Sequence, residues 1–153
     1  MTKDEIYRQA TKDIEAVLDG EPNIIARMAT VACLLAQAFP ANIWTGFYIV
    51  DPDNSKELVV GPYQGTLGCL RIAFGKGVCG AAAETLTSQV VADVHAFEGH
   101  IACDSRSVSE IVVPVMDAAG ELLAVLDIDN PDASTFDGVD QEHLEHIVDT
   151  IFR

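Results

Sequence analysis

With 153 residues, 49% of them hydrophobic, the chain is expected to form one domain over residues 1–153 whose core needs no disulfide to hold it. Nine basic against 24 acidic side chains leave a net charge of −15, which argues against nucleic acid or an anionic membrane as a partner. No apolar run reaches the length of a signal h-region or a membrane span, so a soluble protein of the cytoplasm is expected.

Asp4 to Leu18 places Ile6, Ala10, Ile14, Val17 and Leu18 on one face, predicting an amphipathic helix ended by Asp19-Gly20. A second helix is predicted from about Pro22 to Phe39, stopped by Pro40. Ile43 to Val50 is β-branched and aromatic, and the turn Asp51-Pro52-Asp53-Asn54 leads it into Glu57 to Val60, which reads as a hairpin. Cys69 to Phe74 alternates as a third strand, Gly77 to Leu86 reads as a short glycine-led helix, and Gln89 to Val91 as a short strand. Asp93 to Ser107 is the longest structureless piece, and a loop of that length inside a compact domain is commonly functional. Glu110 to Met116 and Glu121 to Ile128 are apolar strands about the turn Asp117 to Gly120, and Asp140 to Ile151 closes the chain as a helix. These elements describe an α+β fold: an antiparallel sheet of about six strands with the N- and C-terminal helices packed on one side.

The cysteines are Cys33, Cys69, Cys79 and Cys103. They have no CxxC pair and no histidine at zinc-finger spacing, so no structural metal is expected. Cys33 lies in the apolar helical pattern from Ile24 to Phe39 and reads as buried and inert. Cys103 differs, because it sits in the polar stretch Gly99-His-Ile-Ala-Cys-Asp-Ser-Arg-Ser-Val-Ser-Glu110. Such surroundings supply exposure, proton carriers and positive charge, the conditions for a reactive thiol. His100 and Arg106 are weaker candidates for lowering its pKa. Gly75 to Gly80 lacks the ending and spacing of a Walker loop, which argues against nucleotide hydrolysis.

Six blocks, Trp44-Thr-Gly-Phe-Tyr48, Gly61-Pro-Tyr-Gln-Gly65, Gly77-Val-Cys-Gly80, Gly99-His-Ile-Ala-Cys-Asp104, Ser109-Glu-Ile-Val-Val-Pro114 and Leu126-Asp-Ile-Asp129, follow in order. Together they resemble the signature of the GAF-domain free methionine-(R)-sulfoxide reductases, over about Thr30 to Phe152. Tyr63 departs from the Phe-type aromatic common there. The resemblance implies a GAF-like fold and reduction of free L-methionine (R)-sulfoxide without a cofactor. It makes Cys103 the attacking cysteine and Cys69 the resolving one, with Cys79 a secondary thiol. A cysteine sulfenic acid would condense to an intramolecular disulfide, which thioredoxin reopens.

A zwitterionic substrate asks for carboxylates at its ammonium, N–H donors at its carboxylate and an apolar wall for its methyl group. Asp127 and Asp129 flank Ile128 at a strand end and so share one face, while Glu110 opens the adjacent strand. These carboxylates are the expected ammonium site and proton source; a solvated acidic edge is the plainer alternative. Trp44 and Tyr48 are the expected wall, or else ordinary core. The Gly99 to Asp104 main chain is a candidate cradle for the substrate carboxylate.

A GAF-type sensory module that binds a small ligand without catalysis is the rival reading. It would be expected beside an output domain, whereas this sequence closes on its last helix at Arg153, and it has no need of an exposed cysteine with partner thiols. A Cys103–His100 hydrolase pair is weaker, because no third orienting residue is evident. The outer helices suit pairing of two copies into a homodimer.

Overall fold

The computed structural model describes residues 1–100 and 103–153. The elements run α1 (Lys3–Leu18), α2 (Ile24–Ala38), β1 (Trp44–Asp51), β2 (Asn54–Gly65), β3 (Arg71–Ala73), α3 (Gly77–Thr85), β4 (Gln89–Val91), a 3-10 turn at Val94–Ala96, β5 (Ser109–Met116), β6 (Leu122–Asn130) and α4 (Gly138–Phe152). The strands form one antiparallel sheet in the order β3-β2-β1-β6-β5-β4. This is the α+β arrangement expected from the chain.

Strand periodicity divides the sheet into two chemically different faces. Phe47, Ile111, Val113, Val115, Ala124, Leu126 and Ile128 point toward α1, α2 and α4 and make the larger core. Local signals set those helices: the Thr2 hydroxyl caps α1, Asn23 caps α2, and Asp137 with Asp140 forms a capping box on α4. Where α1 meets α4, the Tyr7 hydroxyl donates to Asp140 at 2.6 Å and Lys3 reaches the other Asp140 oxygen at 2.7 Å. The opposite face carries Trp44, Tyr48, Val112 and Val125, and there the short α3 packs through Val78, Cys79, Ala82 and Ala83. One helix therefore lies across the sheet from the other three. It covers the face that bears the carboxylates.

The hairpin and β3 differ from expectation. β2 runs to Gly65, well past Val60, because a bulge absorbs the Gly61-Pro62 pair between the registers Gly46↔Tyr63 and Tyr48↔Val60. β3 begins only at Arg71, so Cys69 lies in the irregular segment before it, freed from strand pairing. Gly65 at φ 120° makes the turn into that segment.

Candidate active site

Three central strands bring the acidic residues together by register alone. Asp129 pairs laterally with Trp44 of β1 and with Glu110 of β5. One step along, Asp127 pairs with Gly46 and Val112. Because side chains two apart share a face, Asp127, Asp129, Glu110 and Trp44 all project to the α3 side. Asp127 is only 4% exposed and Glu110 7%. This is no solvated edge.

The electrostatics follow from that burial. Desolvation first, then the neighbouring Asp129 and Glu110 charges, push the Asp127 carboxyl well above the ordinary carboxylate range. Asp129 is raised for the same reasons, partly offset by bonds to Asp127 and to the Ser107 hydroxyl, which donates at 3.0 Å. Among the described residues no ion pair reaches Glu110, Asp127 or Asp129. Asp127 Oδ1 is buried without a hydrogen-bond partner among the described residues, as is the Trp44 indole N–H. Such orphans call for a ligand or water.

The roof comes from α3 and two loops. Cys79, in the first turn of α3, sits with its Sγ 3.9 Å from Glu110 Oε2. Burial and the carboxylates push its thiol upward, so it holds its proton. Cys69 and Cys103 form a disulfide with Cα atoms 5.3 Å apart, joining the segment before β3 to the loop before β5. A second tie runs beside it: the Thr66 hydroxyl donates to Asp104 at 2.7 Å. Asp104 also accepts from the Arg106 side chain and backbone N–H, and these bonds hold it well below the usual carboxylate range, the Arg106 side chain first.

The cavity, about 50 Å³, is lined among others by Trp44, Tyr48, Cys79, Cys103, Glu110, Asp127 and Asp129. Thus seven of the eight residues singled out from sequence meet at one cavity, and the eighth, Cys69, is bonded to Cys103 at its rim. Trp44 is sandwiched near Tyr48 (ring centroids 5.7 Å) and Tyr63 (4.0 Å), giving an aromatic wall. Arg106 is committed to Asp104, and His100 lines the cavity. The Gly99 to Asp104 cradle includes Ile101 and Ala102, which lie outside the described residues.

Sequence reasoning missed three contributors: Thr66, Ser107 and the N-terminus of α3 with Lys76. A polar threonine in a glycine-rich turn carries no periodic signal. The glycine lead into α3 was the available clue, since Lys76 provides no side-chain cap and the first N–H groups of a helix lack intrahelical acceptors.

A disulfide-forming cysteine pair above a buried carboxylate floor, on a six-stranded antiparallel sheet, defines a redox-active domain of the GAF class, and the GAF domain family model matches residues 4–151. A free methionine-R-sulfoxide reductase of Saccharomyces cerevisiae is 40% identical over 155 residues, covering 99% of this chain and 86% of the yeast protein. One of Escherichia coli is 39% identical over 148 residues, covering 97% and 87%. The free methionine-R-sulfoxide reductase of Neisseria meningitidis, solved in complex with its substrate, superposes with a TM-score of 0.93 at 42% identity, covering 99% of this chain and 89% of that one. The chain belongs to the GAF family and, within it, to the group of the free methionine-R-sulfoxide reductases.

Proposed function

We propose that this protein reduces free L-methionine (R)-sulfoxide to L-methionine. The observation that carries the reading is the Cys69–Cys103 disulfide at the rim of a cavity floored by Glu110, Asp127 and Asp129. The likeness to a substrate-bound reductase supports the choice of substrate, and the R preference is taken from the relatives.

In the reduced protein the Cys103 thiolate attacks the sulfoxide sulfur. The sulfoxide oxygen passes to Cys103, leaving methionine and a sulfenic acid, while a carboxyl of the floor protonates the developing oxyanion. Asp127 suits this task, since its surroundings keep it protonated where a surface carboxylate would not be. Glu110 and Asp129 then hold the substrate ammonium. The uncapped start of α3 offers the N–H groups of Val78 and Cys79 to the α-carboxylate, with Lys76 nearby. Trp44 and Tyr48 form the wall for the methyl group. The Cys69 thiol condenses with the sulfenic acid, releasing water and forming the disulfide. Cys79 stays a reserve thiol, because a group that keeps its proton is a poor nucleophile. An external dithiol, thioredoxin in our reading, reopens the disulfide. This cycle belongs in a reducing cytoplasm, with two copies paired through the outer helices.

The decisive experiment is turnover of the two free methionine sulfoxide epimers with dithiothreitol, beside a peptide containing the same sulfoxide. The R epimer of the free amino acid should be consumed, and the peptide largely ignored because its bonds remove both charges. Equal rates on free and peptide-bound sulfoxide would sink the reading, and binding without turnover would indicate a sensor. Cys103→Ser should abolish even a single turnover. Cys69→Ser should still yield one methionine per enzyme but lose cycling supported by thioredoxin.

A further inference from the structure

We propose that the Cys79 thiol, with Glu110 and Asp127, forms an inhibitory site for a borderline-soft divalent cation, zinc above all. The three side chains bring one donor atom each within 4.8 Å of one another, and all three residues are buried. They come from different elements, α3, β5 and β6, so the set is a pocket built in three dimensions rather than a run of acidic residues. Asp127 Oδ1 is buried there and unpartnered among the described residues, an oxygen left for a cation to take.

One sulfur and two carboxylate oxygens suit Zn²⁺, which takes Cys, His and carboxylate ligands in tetrahedral sites and tolerates an open fourth position for water. Calcium and magnesium ask for oxygen ligands alone, and a thiol gives them nothing. The same crowding that holds a proton on Cys79 and raises Asp127 works for a metal: a divalent charge displaces those protons and offsets the repulsion among the three groups. Binding therefore converts the thiol to a thiolate, with its proton released to solvent. No electron moves. Asp129, held by Ser107, borders the set.

The consequence rests on the reductase reading. Zinc here occupies Glu110 and Asp127, two of the groups assigned to substrate, so metal and methionine sulfoxide exclude each other. Cys79 then has a role that the redox cycle does not give it.

The test separates this site from the catalytic dithiol by using the disulfide form, in which Cys69 and Cys103 are unavailable as ligands. Zinc is titrated into tag-free oxidised protein against a chromophoric chelator, with cobalt in parallel for its thiolate-to-metal charge-transfer band. One equivalent should bind, with proton release, and cobalt should show the band. Cys79→Ser should remove the band and weaken zinc at least tenfold. Glu110→Gln, which keeps the volume of the side chain, should weaken zinc to a similar degree while keeping the band, because the Cys79 sulfur is still in place. Stoichiometric binding unchanged in Cys79→Ser would place zinc on surface histidines and overturn the site, as would no binding at all. Neither result depends on sulfoxide turnover. Where turnover is present, zinc should raise KM for the sulfoxide in the parent and much less in Cys79→Ser; the same rise in both would place zinc on the catalytic dithiol and overturn the competition at this site.

Discussion

Asp127 is a side chain whose burial costs the fold stability. Its carboxyl is buried, one oxygen lacks a partner among the described residues, and desolvation followed by the neighbouring carboxylates raises its pKa above the ordinary 3.8. The folded protein thus keeps a proton at Asp127 that the unfolded chain gives up, so the contribution of this one group to stability is fully present only at low pH. It falls as pH climbs from about 3.8 through the elevated folded value. Asp127→Asn should remove Asp127's share of the decline with pH, leaving the variant more stable than the parent at neutral pH in urea unfolding across a pH series. The same variant should lose kcat, because the amide has no proton of suitable acidity to give. Glu110→Gln and Asp129→Asn should instead act mainly on KM, tenfold or more, since a charge-assisted hydrogen bond contributes about 1.5–3 kcal/mol. Three amide variants with parental kinetics would move the substrate elsewhere. That these carboxylates share a face was legible from their spacing, Asp127 and Asp129 about Ile128. That Glu110 joins them depends on the β5–β6 register, which pairs it with Asp129 and is a tertiary fact.

At the level of elements, helices and paired strands were legible and the irregular connections were not. The apolar periods of α1, α2 and α4 and the β-branched runs of β1, β5 and β6 mark their own positions, because burial on one face imposes the pattern. Gly61-Pro62 reads locally as the end of a strand, yet β2 continues through a bulge, since pairing with β1 outweighs local turn preference. The Cys69 segment reads as strand but lies before one, and Gly68 shows why it is irregular. A Cβ built at Gly68 would stand 2.7 Å from both the Trp44 ring and the Tyr48 hydroxyl. The backbone itself presses on the aromatic wall. Gly68→Ala should therefore displace Trp44 or shift the Cys69 segment, raising KM and slowing disulfide formation with little change in melting temperature. Gly46→Ala makes the contrast, because its Cβ would collide with Tyr63 across the β1–β2 pair. It should cost about 1–3 kcal/mol as overpacking, seen as a lower urea midpoint. If Gly68→Ala melts early with unaltered kinetics, the residue serves folding rather than the site.

Across the whole molecule, the two faces of the sheet divide the labour. The α1, α2 and α4 layer holds the larger core, while the site face is tied together by connections distant in sequence. The disulfide closes a loop between positions 34 apart, spanning β3, α3 and β4, the outer strands and the roof of the cavity. Closing a loop of that length in the unfolded chain corresponds to roughly 3–4 kcal/mol of stabilisation in the chain-entropy account. Oxidised protein should accordingly melt about 6–16 °C above reduced protein, at the ~2–4 °C per kcal/mol of a chain this size. The hydrogen bond from Thr66 to Asp104 joins the same two segments and remains available when the cysteines are thiols. Each tie lowers the entropy cost of the other, so the hydrogen bond contributes more when the disulfide is closed, and Thr66→Val should narrow the gap between the two melting temperatures. Scanning calorimetry of both redox forms, for parent, Thr66→Val and Cys69→Ser, settles this. Cys69→Ser should lose the redox dependence that comes from the Cys69–Cys103 bond. A parent whose two forms melt together would mean that the loop is already closed by other contacts, and that disulfide formation adds nothing to the stability of the fold.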